Sequence, residues 1–288
     1  MLKRTVGGEL WCISQPEHAA AAGYLAAHWG NREFARPGRY APFPDPERLR
    51  AETVLAVAEH DNGWWEWEAD PQIDPSDGLP LDLTSLKQSD GLRRWDLGVS
   101  RFRRRHPYIA LLISFHAYWL HAPRVEAGHT PAFLHPLFGI PAEWPPPKGR
   151  ELEEAKRFVA EQHALQKLLR ERIKDDPAWA AAVRPRHLNP HIRLLQLCDA
   201  LSLHLCFGGD KERTLREIPR RCWNDRVSLR VLPKGKRRVA VDPYPFDQDP
   251  LPVTLRARIL NPETRPAEDF QTWWQAHSRR EIRFRLVR

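Results

Sequence analysis

Asp199 lies inside LLQLCDALSLHLC, residues 194–206, a segment apolar over nearly its whole circumference. A helix with that pattern has no face to give to water, so the carboxylate enters the core with it. Its one-turn neighbours are Leu195, Gln196, Ser202 and Leu203. Burying a lone carboxylate either costs several kcal/mol or forces protonation. An arginine partner, helix-end hydrogen bonds or a metal ion offsets that cost. His116, in IALLISFHAYWL, poses the same question on a face shared with Leu112, Ile113, Trp119 and Leu120. It is either a satisfied core histidine or a ligand.

Two further segments hold similar groups. His18 begins a helical face that continues through Ala22, Leu25 and Trp29. His60-Asp61 ends a second helix whose inner face carries Val54 and Val57. Taken alone, His60 is a helix-end histidine favoured by the dipole, next to a turn aspartate.

The periodicity predicts a short strand at Leu10–Ser14 and a helix from Pro16 to Trp29. Asp45-Pro46 caps and opens a second helix to His60, with Gly63 past its end. Residues 62–88 read as a long loop holding Trp64, Trp65 and Trp67, then Asp, Pro and Gly turn signals. Helices follow over 90–105 and 107–120, then a Pro-rich stretch over 122–149. Further helices cover 151–174 and 190–207, the last opening at Asn189-Pro190. Alternating apolar residues then mark strands near 227–231, 239–241, 253–259 and 282–286. Lys234-Gly235 reads as the turn between the first two, and residues 267–277 as a short helix. The expected fold is mainly α, a helical domain over residues 1–222, with a small basic antiparallel β-sheet over 223–288 packed on it.

Charge sharpens that division. The net charge is +8, and residues 223–288 hold 14 Lys+Arg against 8 Asp+Glu, or +6. A basic tail suits an anionic ligand or nucleic acid, although arginine-rich composition throughout explains part of it. Runs at Arg101–Arg105 and Lys234–Arg238 read as phosphate contacts or as solvated surface. No apolar run reaches the ~18 residues of a membrane span, and the N-terminal stretch lacks the apolar core of a secretory signal. The expectation is a soluble, cytoplasmic protein with no membrane partner. Cys12, Cys198, Cys206 and Cys222 form no C-x-x-C pair. The phosphate-binding P-loop, H-E-x-x-H and G-x-S-x-G patterns are absent.

In order, the chain runs His, His-Asp, His, Asp, each on or at the end of an inward-facing helix. This resembles the HD superfamily of metal-dependent phosphohydrolases. The segments QPEHAAAAGYLAAHWG, AVAEHDNGWWEW, LLISFHAYWL and LLQLCDALSLHLC, with VDPYPF in the tail, resemble more closely one bacterial HD-like family, domain of unknown function 3891. The resemblance implies that His18, His60, Asp61 and Asp199 bind a primary metal. It implies that His116 serves a second metal or a substrate phosphate, and that Asp61 also orients the attacking water. His121, roughly 140° around the helix from His116, is not paired with it. Glu59 and Asp74 are candidates for proton handling. Asn62-Gly63 departs from the superfamily, where many active members carry a charged residue after the pair.

Mixed imidazole and carboxylate ligands suit Mn, Fe, Zn, Ni or Co better than Ca or Mg. Three functions fit. One is hydrolysis of a nucleotide or other small anionic phosphorylated metabolite by a metal-activated water. Another is noncatalytic binding of a ligand or nucleic acid, which the Asn62-Gly63 departure and the basic tail favour. A third is a di-iron oxygenase using His116.

Overall fold

The computed structural model describes residues 1–83, 85–125, 147–261 and 269–288. The chain opens on a hairpin of β1 (Leu2–Val6) and β2 (Glu9–Ile13). Gly7 and Gly8 turn it at positive φ, where glycine meets no steric cost. Ser14 caps α1 (Gln15–Ala27), its Oγ accepting the Glu17 N–H at 3.3 Å. Asp45 caps α2 (Pro46–Ala58) in the same way, accepting from Arg48 N–H at 3.0 Å. A 3₁₀ turn at Asn62–Trp64 leads into α3 (Trp65–Ala69), then α4 (Gln88–Phe102), α5 (Pro107–Val125) and α6 (Gly149–Lys174). After a second 3₁₀ turn at Ala180–Val183 comes α7 (Pro185–Cys206). The rest is β3 (Arg213–Pro219), β4 (Arg226–Pro233), β5 (Arg238–Asp242), β6 (Leu251–Leu260), α8 (Phe270–Ala276) and β7 (Arg279–Val287).

The sheet corrects the expected mainly α fold with a small C-terminal antiparallel sheet. Seven strands pair in the order β1-β2-β6-β7-β5-β4-β3, curled into a half-barrel. It is mixed, because β5 runs parallel to β7 while the other pairs are antiparallel. Three of its strands, β1, β2 and β3, precede residue 222. Pairing across the length of the chain, Leu10 with Leu260 for example, leaves no local trace in the sequence. The expected loop over 62–88 is also partly helical, and α7 starts a turn before Asn189. Residues 126–146 of the Pro-rich stretch, and 267–268 of the short helix expected over 267–277, lie outside the described residues.

The helix carrying Asp199 is the axis of the molecule. From His187 to Cys206 every residue of α7 except Asn189 is buried. Its apolar side chains join those of α1, α5 and the inward face of β4–β7 in one continuous core. VDPYPF, residues 241–246, fastens the end of α1 to the sheet. Asn31 Nδ2 donates to the carbonyls of Tyr244 and Phe246 at 2.8 and 3.1 Å, and Trp29 packs edge-on against Phe246.

Buried histidines make this core acid-sensitive. His191 Nε2 accepts the Gly38 N–H at 2.9 Å, so in the neutral ring Nδ1 carries the proton and donates to Tyr108 Oη at 2.7 Å. Burial, reinforced by His187, pushes the His191 pKa down to about 3. The unfolded chain, near 6.5, therefore binds the extra proton first as pH falls, and stability declines below that value. The expected slope from this residue is about 1.4 kcal/mol per pH unit between about pH 6 and 4. Urea titrations of wild type and His191→Gln across that range check it: the variant curve is expected to be flatter by about that amount.

Candidate metal centre

Three helices and one helix-end turn bring the predicted residues together. Gly23 on α1 lets that helix lie directly against α2, since a Cβ there would run into Cα and Cβ of Ala58. This close approach seats His18, five residues earlier on α1, beside the His60-Asp61 turn that ends α2. His116 comes from α5 and Asp199 from α7. All five side chains are at most 4% exposed.

His18 Nε2 is 2.8 Å from Asp61 Oδ2. His60 Nε2 lies 3.6 Å from the same oxygen and 3.5 Å from Asp199 Oδ1. His116 Nδ1 lies 3.8 Å from Asp199 Oδ2. The rings stand edge to face, with centroids 5.1 Å apart for His18 and His60 and 4.7 Å apart for His60 and His116. Two overlapping triads have donor atoms close enough to share a cation, His18–His60–Asp199 and His60–Asp61–His116. Both use His60, and together they contain all five sequence-predicted residues.

Hydrogen bonds behind the cluster set the imidazole tautomers. His60 Nδ1 is 2.7 Å from the Val57 carbonyl, which can only accept, so Nδ1 carries the proton. In the neutral ring, Nε2 then presents a lone pair to Asp61 and Asp199, and it has no hydrogen-bond partner among the described residues. His18 is fixed by Ser202. The Ser202 hydroxyl donates to the Asp199 carbonyl at 2.9 Å. Its oxygen therefore accepts from His18 Nδ1–H at 3.0 Å, and the neutral ring turns its Nε2 lone pair toward Asp61. Two lone pairs thus face two carboxylates, and only protons or a cation between them make these contacts attractive. A hydrogen bond on the far ring nitrogen prepares a histidine to ligate a metal in this way, and the donor set fits a divalent ion of the Mn–Zn series.

The electrostatics agree. Burial pushes the Asp61 carboxyl up, but His60, the His18 hydrogen bond and His116 outweigh it and hold the pKa below the usual range. For His60 burial pulls downward, yet Asp61 and Asp199 raise its pKa to about 9. The site therefore demands positive charge at neutral pH.

Trp95 and Ser202 also hold the cluster in place, roles that the sequence alone did not assign to them. Trp95 on α4 donates its indole N–H to Asp61 Oδ1 at 3.1 Å, leaving Oδ2 to the cluster. Ser202 was visible as a one-turn neighbour of Asp199, whereas only the fold shows that it anchors His18. Trp95 carried no signal beyond its place on an amphipathic helix.

Other candidates fall elsewhere. Asp74 accepts from Ser76 in its own turn. Glu59 is raised by burial, and its carbonyl accepts from Asn62 Nδ2 at 2.6 Å. Asn62 also donates to the Gly98 carbonyl at 3.2 Å. Asn62-Gly63 is therefore a joint that locks α4 onto the His60-Asp61 turn. Trp64 is buried in a cluster with Trp95, Leu92 and Phe158, which makes it a core plug, while Trp65 is exposed. Arg101 bonds Glu66 and the Asn62 carbonyl. No helix among the described residues is long and apolar enough to cross a membrane.

The family model described as protein of unknown function (DUF3891) matches residues 1–262. No curated protein and no solved structure matches the chain.

Proposed function

The chain belongs to the DUF3891 family of proteins of unknown function, and we propose that it is an HD-type metal-dependent phosphohydrolase acting on a nucleotide or other small phosphorylated metabolite. One observation carries the reading: hydrogen bonds to the Val57 carbonyl and to Ser202 Oγ hold the His60 and His18 rings so that their Nε2 atoms face Asp61 and Asp199. His18, His60, Asp61 and Asp199 would hold the ion. A divalent cation held there would supply a water whose pKa is lowered toward ~7 and would polarise a phosphoryl oxygen.

The protein's own groups divide the remaining work. Asp61, pinned through Oδ1 by Trp95, orients the attacking water with Oδ2. His116, beside Asp199, stands where it meets a substrate phosphate or a second ion. Across Trp95 lies a cavity of about 160 Å³ lined by Lys87, Gln88, His121, Arg124 and Glu151 among others. Its two cationic side chains suit an anionic ligand.

The test is an assay of purified protein against phosphomonoesters and nucleotides with Mn, Fe, Co, Ni or Zn supplied in turn. The expected result is phosphate release that requires the metal and falls at least about 100-fold in His116→Ala, the scale of a lost general acid–base or charge-stabilising group. No release with any of the metals contradicts the proposal.

The near-complete burial of the five side chains favours a second reading, a metal that is structural or senses a ligand. Stoichiometric metal without turnover in the same assay selects it.

A further inference from the structure

The outward face of the sheet carries an arrangement that the metal centre does not use. Along β4–β7 the inward positions are apolar: Leu229, Val231, Val239, Val241, Val253, Leu255, Ile282 and Phe284 are buried. Strand register places the alternate residues on the other side. Arg285 is the Cα partner of Arg238 on β5 and of Pro252 on β6. Two residues along β7, Arg283 is opposite Thr254, and the next outward pair is Glu281 with Arg256. On β4, Arg230 is opposite Asp242. Arg230, Arg238, Arg256, Arg283 and Arg285 are all exposed. They spread over four adjacent strands, a width on the order of 15 Å at the usual strand spacing.

Like charges set directly opposite each other destabilise a sheet, and Arg238 faces Arg285 in that way. Arg238, Arg256 and Arg285 form no ion pair among the described residues. Among the described residues Arg283 and Arg230 pair only with the exposed Glu281 and Glu212, contacts of little energetic weight. The sheet thus keeps a like-charged pair at Arg238 and Arg285, flanked by arginines on the neighbouring strands, and a polyanion laid on it would offset that repulsion. Arginine also presents a planar fork matched to phosphate oxygens.

We propose that this outer sheet face docks the phosphate backbone of a nucleic acid, independently of the metal centre. The recognition is of charge, since the array offers guanidinium groups and no stacking platform.

The test measures binding of the full chain to a fluorescent single-stranded oligonucleotide between about 50 and 200 mM salt. With four or five phosphates neutralised, log K is expected to fall with log salt at a slope near −3. In Arg238→Ala/Arg285→Ala the slope is expected to shrink by about 1.4, at ~0.7 per phosphate contact. His60→Ala is expected to bind like wild type, which separates this face from the metal site. Circular dichroism confirms that each variant is folded. No binding at the lowest salt, or equal slopes in wild type and the double variant, overturns the proposal. Tighter binding to phosphatidylserine vesicles than to the oligonucleotide also overturns it and points to a lipid surface.

Discussion

Asp199→Ala is expected to abolish stabilisation by added divalent metal and to destabilise the metal-free chain as well. In wild type, a metal at 100 times its Kd adds about 2.7 kcal/mol, visible as a rise in Tm. The variant is expected to show none of it. The metal-free cost arises because Asp199 is one of two carboxylates buried among His18, His60 and His116. Removing one partner of a buried charged cluster leaves the others uncompensated, typically at about 3–5 kcal/mol. Thermal melts with and without Mn, Co or Zn check both parts. Equal metal-induced shifts in wild type and variant would remove Asp199 from the site.

Gly63→Ala is expected to be strongly destabilising for so small a substitution. An added Cβ would run into the Arg94 carbonyl oxygen, with the Arg94 carbonyl carbon at 2.8 Å and the Gly98 nitrogen at 2.9 Å. These are backbone atoms of α4 and cannot move aside as a side chain would. The expected loss is about 3 kcal/mol or more, the upper end for overpacking, read as a lower urea midpoint. Gly98→Ala is the graded comparison, because its Cβ first meets the Asn62 amide nitrogen, at 3.2 Å, which is a side-chain atom. A smaller loss is expected there. Since α4 also brings Trp95 to Asp61, Gly63→Ala is expected to weaken metal binding along with the fold.

These two substitutions mark where the sequence was readable. Asp199 could be placed because its helix is apolar all round, a local property, and the buried carboxylate demanded a partner. The grouping of His18, His60, Asp61 and His116 with it was what the family resemblance implied, carried by their order along the chain, and the structure brings all five side chains together. Gly63 was read as the end of a helix and, with Asn62, as a departure from the superfamily pattern, not as a packing contact. Its close approach to α4 is a tertiary fact, as are the anchoring of His18 by Ser202 and of Asp61 by Trp95.

The sheet was under-read for a related reason. The buried central strands, such as Val253–Leu255–Ala257, alternate clearly. The outer strands do not announce themselves: β3, RTLREIP, buries only Leu215, Ile218 and Pro219, and β1 is mostly half-exposed. Closing β2 onto β6, and β5 in parallel onto β7, depends on contacts between distant parts of the chain. The expected small tail sheet consequently became a seven-stranded one that shares its core with α1 and α7.

The candidate metal centre draws its side chains from α1, the end of α2, α5 and α7. Elemental analysis of chain purified without chelator, wild type beside His60→Ala, tests it most directly, because His60 belongs to both triads. The predicted result is a stoichiometric first-row divalent metal in wild type and a large deficit in folded His60→Ala. Metal-free wild type that takes up none of Mn, Fe, Co, Ni or Zn on dialysis, or an equal metal content in the two proteins, would contradict it.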